Sequence, residues 1–229
     1  MENADTIRHL LIYALPILIA ITFHEVSHGF VAYKLGDPTA KMLGRLTLNP
    51  IVHIDIFGTI LLPLLLVVMH SPLVFGYAKP VPINPMNFKN PRKGMAISAA
   101  AGPATNIILA LISGILVKFI ILPLTAVTSI NVQETIFKPL LMILSYSVLI
   151  NIILASFNMI PIPPLDGGRV LVGMLPSSQA HSFSKIEPFG FIVVLALLYT
   201  GVANYIIMPL ISFFISFFRF EIIFKFLNM

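Results

Sequence analysis

The first apolar stretch of the chain contains two histidines and a glutamate in the pattern His24-Glu25-x-x-His28. On a helix, residues i and i+4 lie on one face, so His24 and His28 can bind the same metal ion. Glu25 lies beside them, where a carboxylate can act as general base on a water molecule activated by the metal. Zinc prefers this ligand set, and a catalytic zinc site uses three protein ligands and one open position. The pattern therefore predicts a zinc hydrolase site that needs a third ligand.

Asp166 is the strongest candidate for that third ligand. It follows the proline-rich stretch 161–164, which cannot continue a helix because proline lacks the backbone donor. Two glycines come directly after it and allow close approach of the backbone. The alternative is that Asp166 only caps a helix predicted for residues 169–175. His53 is the next candidate ligand if Asp166 has that other role.

The composition places this pattern in a membrane protein. Of the 229 residues, 58% are hydrophobic and only 10% are charged, and the mean hydropathy is +0.98. Soluble domains carry about 25% charged residues. The numbers exclude a disordered chain, a basic nucleic-acid-binding domain and an ordinary soluble enzyme, and no nucleic-acid partner is expected. With no cysteine, a thiolate metal site is also excluded.

Long uncharged runs predict the membrane segments. A spanning helix needs ~20 apolar residues. The runs cover residues 9–24 (continuing past Glu25 to 33), 56–78, 94–117, 139–165 and 188–218. The last run exceeds one crossing and predicts one tilted span or a helical pair broken near 201–204. We therefore expect an all-α polytopic membrane protein of about five to six membrane segments, forming one domain over residues 1–229.

Ionisable side chains inside such runs need an explanation. Placing one at mid-membrane costs roughly 2.5–3.5 kcal/mol on insertion scales. A bound metal accounts for a glutamate flanked by two histidines, and the alternative is a polar contact between helices with no metal. A metal-ion transporter that uses the His and Asp cluster as a transit site is the second functional hypothesis.

The depth of the site in the membrane constrains the topology, because His24 and Asp166 must lie at the same depth. Asp166 can meet His24 only if residues 56–72 dip into the membrane and return, rather than cross it. That arrangement also puts seven basic residues on one side: Lys34, Lys41, Arg45, Lys79, Lys89, Arg92 and Lys93. Cytoplasmic loops carry an excess of Lys and Arg. The sequence therefore predicts a multi-pass protein of the cell membrane, with the site nearer the cytoplasm and a re-entrant segment at 56–72.

The proline-rich segment that follows is expected to be extended. Residues 76–93 contain four prolines and cannot form a helix. The alternation of Val81 and Ile83 predicts a small β-like element near the active site. A transmembrane substrate must unwind to expose its peptide bonds, and this element could pair with it as an added strand. The alternative is a simple surface loop.

Two asparagines are candidates to stabilise an oxyanion, which needs a donor besides the metal. Asn106 lies in the third uncharged run, and Asn158 lies shortly before the proline break. The alternative is that each amide only bonds backbone between helices.

Several motifs together resemble the site-2 protease family of intramembrane zinc metalloproteases. His24-Glu25-x-x-His28 is similar to the family's zinc-binding motif, and residues 158–167 are similar to its Asn-x-x-Pro…Leu-Asp-Gly. Residues 102–106 resemble its Gly-Pro-x-x-Asn, and residues 75–85 resemble a loop of its compact members. The likeness runs from about residue 20 to 175. It implies a compact member without PDZ or CBS domain.

The resemblance also implies site roles and an activity. His24, His28 and Asp166 would bind one zinc ion per chain, and Glu25 would be the catalytic base. The implied activity is an intramembrane endopeptidase in the lipid bilayer. It would cleave single-span membrane proteins within or near their transmembrane segments, as in regulated intramembrane proteolysis.

Overall fold

The computed structural model describes residues 2–71 and 76–218. Its described part consists of helices joined by irregular segments and contains no strand. The helices are α1 (Glu2–Lys34), α2 (Ile56–Val68), α3 (Pro91–Val127), α4 (Ile130–Asn158), α5 (Asp166–Met174), α6 (Ser177–Ser184), α7 (Glu187–Tyr199) and α8 (Val202–Phe218). Short helical turns at Thr39–Met42, Pro50–His53 and Pro85–Asn87 interrupt the connections.

Three of the described helices are long and apolar enough to cross a membrane. They are the part of α1 from Ile12 to Lys34, with 23 residues, α3 with 37 and α4 with 29. The helices α6 and α7 meet at a bend of 47° and would make a fourth span if taken together. The structure is therefore that of an all-helical membrane protein, and five to six segments are not confirmed.

The shorter segments explain the lower count. Helix α2 has 13 residues, which at 1.5 Å per residue is about 20 Å, short of the ~30 Å hydrocarbon core. The run 188–218 divides into α7 and α8, as the hypothesis of a helical pair predicted. Gly201 ends α7 with a φ of +75°, a conformation that glycine adopts without a steric penalty, and its N–H bonds the Leu198 carbonyl.

Helices α1 and α3 are antiparallel neighbours in contact. His28, near the end of α1, bonds the carbonyl of Ser98 near the start of α3. The Ala20 carbonyl, two turns earlier in α1, accepts from Asn106, two turns later in α3. The end of α1 and the start of α3 therefore lie at the same end of the bundle.

The connection between α1 and α3 therefore leaves and returns to that end. The Tyr77 N–H donates to the Gly58 carbonyl at 3.0 Å, and Thr59 Oγ1 donates to the Tyr77 carbonyl at 2.8 Å. The Lys79 N–H reaches back to the His53 carbonyl at 3.0 Å. The chain that leaves through α2 is thus back beside the start of that helix by residue 77, and the re-entrant path of 56–72 stays a prediction.

Helices α3 and α4 form the core. Their buried apolar side chains are Ala110, Val117, Ile121, Leu141, Val148 and Ile152. Polar groups also meet in this interface, since the Ser113 and Ser147 hydroxyls are 2.8 Å apart. Lipid is as apolar as leucine, so close packing and interhelical hydrogen bonds stabilise such a bundle. Because α4 runs antiparallel to α3, its end brings Asp166 back to the level of His24 and His28.

Candidate metal centre

Three buried side chains from two helices converge at one point. His24 Nε2 and His28 Nε2 are 3.0 Å apart, and Asp166 Oδ2 lies 3.2 Å from the first and 3.3 Å from the second. All three residues are at most 8% exposed. Within the described residues, they form the one group of three or more His, Cys, Asp or Glu side chains with the spacing to hold a metal ion.

The other ring nitrogen of each histidine faces a hydrogen-bond acceptor. His28 Nδ1 lies 2.8 Å from the Ser98 carbonyl, which can only accept, so Nδ1 carries the proton. His24 Nδ1 lies 2.6 Å from Asn106 Oδ1 and donates to it. With its proton on Nδ1, each imidazole in its neutral form leaves Nε2 free to bind a metal, and both Nε2 atoms face the carboxylate.

This arrangement fits a zinc ion. Two nitrogen lone pairs and a carboxylate oxygen so close together repel one another unless a cation lies among them. Asp166 Oδ2 is buried with no hydrogen-bond donor. Tetrahedral zinc with bonds of about 2.0–2.2 Å separates its ligand atoms by roughly 3.3 Å, close to the three distances found here. A fourth coordination position would remain for water or substrate.

Gly102 gives the two imidazoles their space. It lies on α3 directly opposite them, and a Cβ atom built there would collide with His28 Nε2 and would lie 2.6 Å from His24 Cε1. The Gly-Pro-x-x-Asn motif thus has two tasks near the cluster: Gly102 makes room for both rings, and Asn106 orients one of them.

Asp166 is held in place by the turn before α5. Leu165, not Asp166, is the N-cap residue of α5, and no side chain caps that helix. The capping alternative therefore has no support. Gly167 packs against the backbone of Met159 and Ile160, where any Cβ would overlap the carbonyl groups. This close approach folds the chain back and points the carboxylate at the histidines.

Glu25 is held by a backbone donor from the extended segment. The Val81 N–H donates to Glu25 Oε2 at 2.8 Å. Gly29, one turn after Glu25, lets this segment lie against α1, because a Cβ there would be 2.7 Å from Val81 Cγ1. Glu25 is half-buried and lies outside the group of ligand atoms.

Asp37 anchors the next part of the same segment. Its buried carboxylate accepts from the Asn84 N–H at 2.7 Å, from the Asn87 side chain at 2.7 Å, and from the N–H and hydroxyl of Thr39. Burial raises the pKa of Asp37, but these hydrogen bonds outweigh it and hold the pKa below its ordinary value. On the other side of Glu25, Arg45 donates to the Lys79 carbonyl at 2.8 Å.

The predicted β-like element is not formed as a strand in the described residues. Residues 76–84 form neither a helix nor a strand. The backbone N–H groups of alternate residues, Tyr77, Lys79 and Val81, nevertheless donate to the rest of the protein, as in extended backbone. Pro80 and Pro82 lack an N–H and cannot donate to a ladder. Val81 uses its N–H on Glu25, and Ile83 lines a cavity. Phe75, the first residue of the predicted segment, lies outside the described residues.

The structure gives both asparagine candidates other partners. Asn106 Nδ2 donates to Asn151 Oδ1 and to the Ala20 carbonyl, which occupies both of its hydrogens. Asn158 Nδ2 donates to the Leu154 carbonyl, one turn back in its own helix. These are the bonds of the alternative interpretation, and an oxyanion role for either residue stays a prediction. His53, the next candidate ligand, bonds the Thr47 carbonyl instead.

A cavity of about 840 Å³ opens beside the end of the extended segment. It is lined by Ile83, by Arg92 at the start of α3, by Arg169 in α5, and by His181 and Glu187. Arg169 pairs with Glu187 at 3.3 Å. The cavity therefore lies between the end of the extended segment and helices α3, α5, α6 and α7.

The sequence interpretation missed or left without a role four residues that contact the candidate site or its supports: Ser98, Gly102, Asp37 and Asn151. The first two lie in a run of small residues that signals close helix packing. Their proximity to the histidines depends on the register between α1 and α3, which no local pattern contains.

Comparisons with known proteins agree with the geometry. The profile of peptidase family M50 matches residues 120–201. YwhC of Bacillus subtilis, named as a zinc metalloprotease, is 38% identical over 200 residues, covering 86% of this chain and 84% of the relative. Rip2 of Mycolicibacterium smegmatis, with the same kind of name, is 27% identical over 220 residues, 93% of this chain and 79% of its own.

Another relative is a longer protein, of which this chain matches less than half. The zinc metalloprotease MJ0392 of Methanocaldococcus jannaschii is 28% identical over 204 residues, 88% of this chain but 46% of the relative. No solved structure matches the chain.

Proposed function

This chain belongs to peptidase family M50, the site-2 proteases, and we propose that residues 1–229 act as one transmembrane zinc endopeptidase domain. Its substrates are single-span membrane proteins, cleaved within or near their transmembrane segments. The observation that carries the proposal is the buried convergence of His24, His28 and Asp166 beside Glu25, inside helices apolar enough to span a membrane. Both histidines present unprotonated nitrogens there, as zinc requires.

His24, His28 and Asp166 would hold the zinc ion. Bound zinc supplies Lewis-acid polarisation of the water nucleophile and of the scissile carbonyl. The carboxylate of Asp166 offsets one of the two positive charges and leaves the site electrophilic. Ser98 and Asn106 fix the two imidazoles through their Nδ1 protons, as outer partners of metal ligands commonly do.

Glu25 is the general base and then the general acid. Its bond with the Val81 N–H fixes Oε2 and leaves Oε1 to take the proton of the attacking water. The same oxygen later gives that proton to the leaving amine. A carboxylate already fixed in orientation loses less conformational entropy when it reaches the reacting geometry.

The substrate strand would lie on the outer edge of residues 78–82. Tyr77, Lys79 and Val81 direct their backbone groups toward the protein. In extended backbone the alternate residues point the opposite way. Since Pro80 and Pro82 have no N–H, this edge offers mainly carbonyl acceptors to an unwound substrate. The side chains of Val81 and Ile83 would shape the adjacent surface.

The site faces the cytoplasmic end of the bundle in this proposal. The end of α1 and the start of α3 share one end of the antiparallel bundle, and all seven basic residues from Lys34 to Lys93 lie in or beside the connection between them. The positive-inside rule orients that end toward the cytoplasm. The protein is then a multi-pass protein of the cell membrane.

Transport of metal ions is less well supported. A transit path needs successive polar sites along its length. Within the described ranges 2–71 and 76–218, one His and Asp cluster is present, and it lies at a single level.

The Glu25→Gln substitution tests the proposal. In proteoliposomes with a single-span substrate, we expect cleavage to fall at least about a thousandfold while one zinc per chain is retained. Glu134→Gln is the matched control, because Glu134 lies at the opposite end of the bundle in an exposed pair with Lys138. Cleavage by the Glu25→Gln protein at the wild-type rate would refute the assigned base. Zinc flux into sealed vesicles would favour transport.

A further inference from the structure

We propose that Asn151, on α4, is a positioning residue for the metal centre, which acts through Asn106 to fix the proton of His24 on Nδ1. Asn151 touches neither histidine, and none of the sequence motifs includes it. It is fully buried between helices α3 and α4. The inference rests on the proposed zinc site but concerns a property that also exists in the metal-free protein.

A backbone carbonyl on α4 determines which groups donate and which accept in this series of hydrogen bonds. Asn151 Nδ2 lies 2.8 Å from the carbonyl oxygen of Ser147, and that oxygen can only accept. The amide of Asn151 must therefore direct its NH₂ group toward Ser147. Its other atom, Oδ1, is left facing α3 as an acceptor.

That acceptor fixes the next amide. Asn106 lies 2.7 Å from Asn151 Oδ1, so the atom of Asn106 at this contact must be the NH₂ group, Nδ2. The Ala20 carbonyl, 3.3 Å from the same nitrogen, is a second acceptor. Asn106 therefore presents Oδ1 to His24, and His24 Nδ1 must donate across the 2.6 Å contact.

Without Asn151, the orientation of Asn106 loses its stronger determinant. An asparagine amide has an oxygen on one side and an NH₂ group on the other, and a flip exchanges the two. A flipped Asn106 would offer an N–H to His24 Nδ1 and so favour the proton on Nε2. That nitrogen could not then bind a metal without first losing the proton. Asn151 thus selects the tautomer that has a metal-binding lone pair.

His28 needs no such relay. Its Nδ1 faces the backbone carbonyl of Ser98, which cannot exchange donor for acceptor. The two zinc-facing histidines are therefore oriented by different means, one by fixed backbone and one by a chain of two amides. A loss of Asn151 should affect His24 alone.

The first test replaces Asn151 by leucine, which has similar volume and no polar group. In detergent-solubilised protein, we expect zinc affinity, measured by competition with a chelator, to fall about tenfold. Ser145→Ala is the matched control, because Ser145 is equally buried on the same helix and its hydroxyl has no hydrogen-bond partner. An equal loss in both variants would reduce the role of Asn151 to helix packing and overturn the proposal.

A second substitution separates positioning from packing. In Asn106→Asp, the carboxylate has only acceptors, so it takes the His24 Nδ1 proton whichever way it turns. The double variant Asn106→Asp, Asn151→Leu should therefore recover zinc affinity to within about threefold of Asn106→Asp alone. A full tenfold loss in that background as well would overturn the relay.

The decisive readout is the position of the proton itself. In metal-free protein labelled with ¹⁵N-histidine, NMR should show a protonated Nδ1 on His24 in the wild type and an unprotonated Nδ1 in a substantial fraction of Asn151→Leu. An unprotonated Nδ1 on His24 in the wild type would overturn the proposal without any variant, even if Asn151→Leu failed to fold. Failure of the zinc proposal would look different, with Nδ1–H in place but no zinc bound.

Discussion

The metal centre and the extended segment beside it are built by opposite means. At the metal centre, side chains from α1 and α5 converge, and neighbouring α3 orients them through Ser98, Gly102 and Asn106. At Glu25, the partner is the backbone of a segment that has neither helix nor strand. Both regions contact the same five-residue stretch of α1, so one helix connects the two kinds of support.

Because of this difference, the metal ligands and the catalytic base are held in place by separate parts of the protein. Ligand positions depend on the register of long helices, which changes little unless the bundle itself unpacks. The base depends on residues 76–84, which hydrogen-bond to side chains at Glu25, Asp37 and Arg45 and to the connection before them at His53, Gly58 and Thr59. Zinc binding and catalysis should therefore be separable by mutation. Two substitutions test this separation, and a change of pH tests how the extended segment is attached.

Gly102→Ala should have the largest effect, since it strikes the metal centre itself. The new Cβ would collide with His28 Nε2, so we expect zinc affinity to fall about a hundredfold and cleavage to disappear with it. Alanine favours a helix over glycine by about 1 kcal/mol, so a weaker α3 cannot explain the loss. Chelator competition and thermal unfolding measure the two quantities. Wild-type zinc binding would show that the rings can move aside.

Val81→Pro should affect the base and spare the metal. The substitution removes the N–H that holds Glu25 Oε2, and hydrogen bonds to charged groups contribute about 1.5–3 kcal/mol. We expect kcat to fall about tenfold or more, with zinc content unchanged. Val81→Ala keeps the N–H and removes more of the side chain, so it controls for packing. Equal kcat values for the two variants would contradict the assigned role of the N–H.

Acidification should give the smallest effect, through Asp37. Because the folded pKa of Asp37 is below its ordinary value, the ionised carboxylate stabilises the fold. That contribution is complete above the ordinary aspartate pKa and disappears as the pH falls through the lowered one. Near neutral pH, the Asn84 N–H should exchange with solvent roughly tenfold more slowly in the wild type than in Asp37→Asn.

Hydrogen exchange measured at several pH values gives the comparison. The ratio between the wild type and Asp37→Asn should approach one only in the acidic range. The Gly58 N–H, which bonds Asp55, is an internal reference that the variant should leave unchanged. A ratio that is independent of pH would mean that Asp37 does not hold the segment by its charge.

The sequence predicted the cluster better than its surroundings. His24, Glu25 and His28 follow from helical spacing. The residues around Asp166 left a capping role open, and its role as a ligand came from the resemblance. A return of the chain at 56–72 was expected because Asp166 and His24 must share a level; α1, α3 and α4 alternate in direction, and the re-entrant path itself stays a prediction.

Other features depend on distances that no local pattern encodes. For Asn106 the sequence left two alternatives open, an oxyanion donor and a hydrogen bond between helices, and the register of α3 against α1 and α4 places Ala20 and Asn151 as partners of its donors. The predicted five to six membrane segments are not confirmed by the described residues. Uncharged runs do not fix where a helix ends: α2 and α7 both end well before their runs do.

The prolines of the extended segment have a consequence for encounters between two copies of the protein. An exposed backbone edge can cause aggregation in a crowded bilayer, because identical edges can form backbone hydrogen bonds with each other. Pro80 and Pro82 have no backbone N–H to offer on this edge. Two copies of the edge would therefore present mainly carbonyl groups to each other, and these groups repel. A substrate peptide has backbone N–H groups that can donate to these carbonyls, so it does not meet that repulsion. If a substrate pairs with this edge as proposed, the same two prolines that prevent a regular strand would disfavour pairing between two copies of the protein and leave pairing with a substrate open.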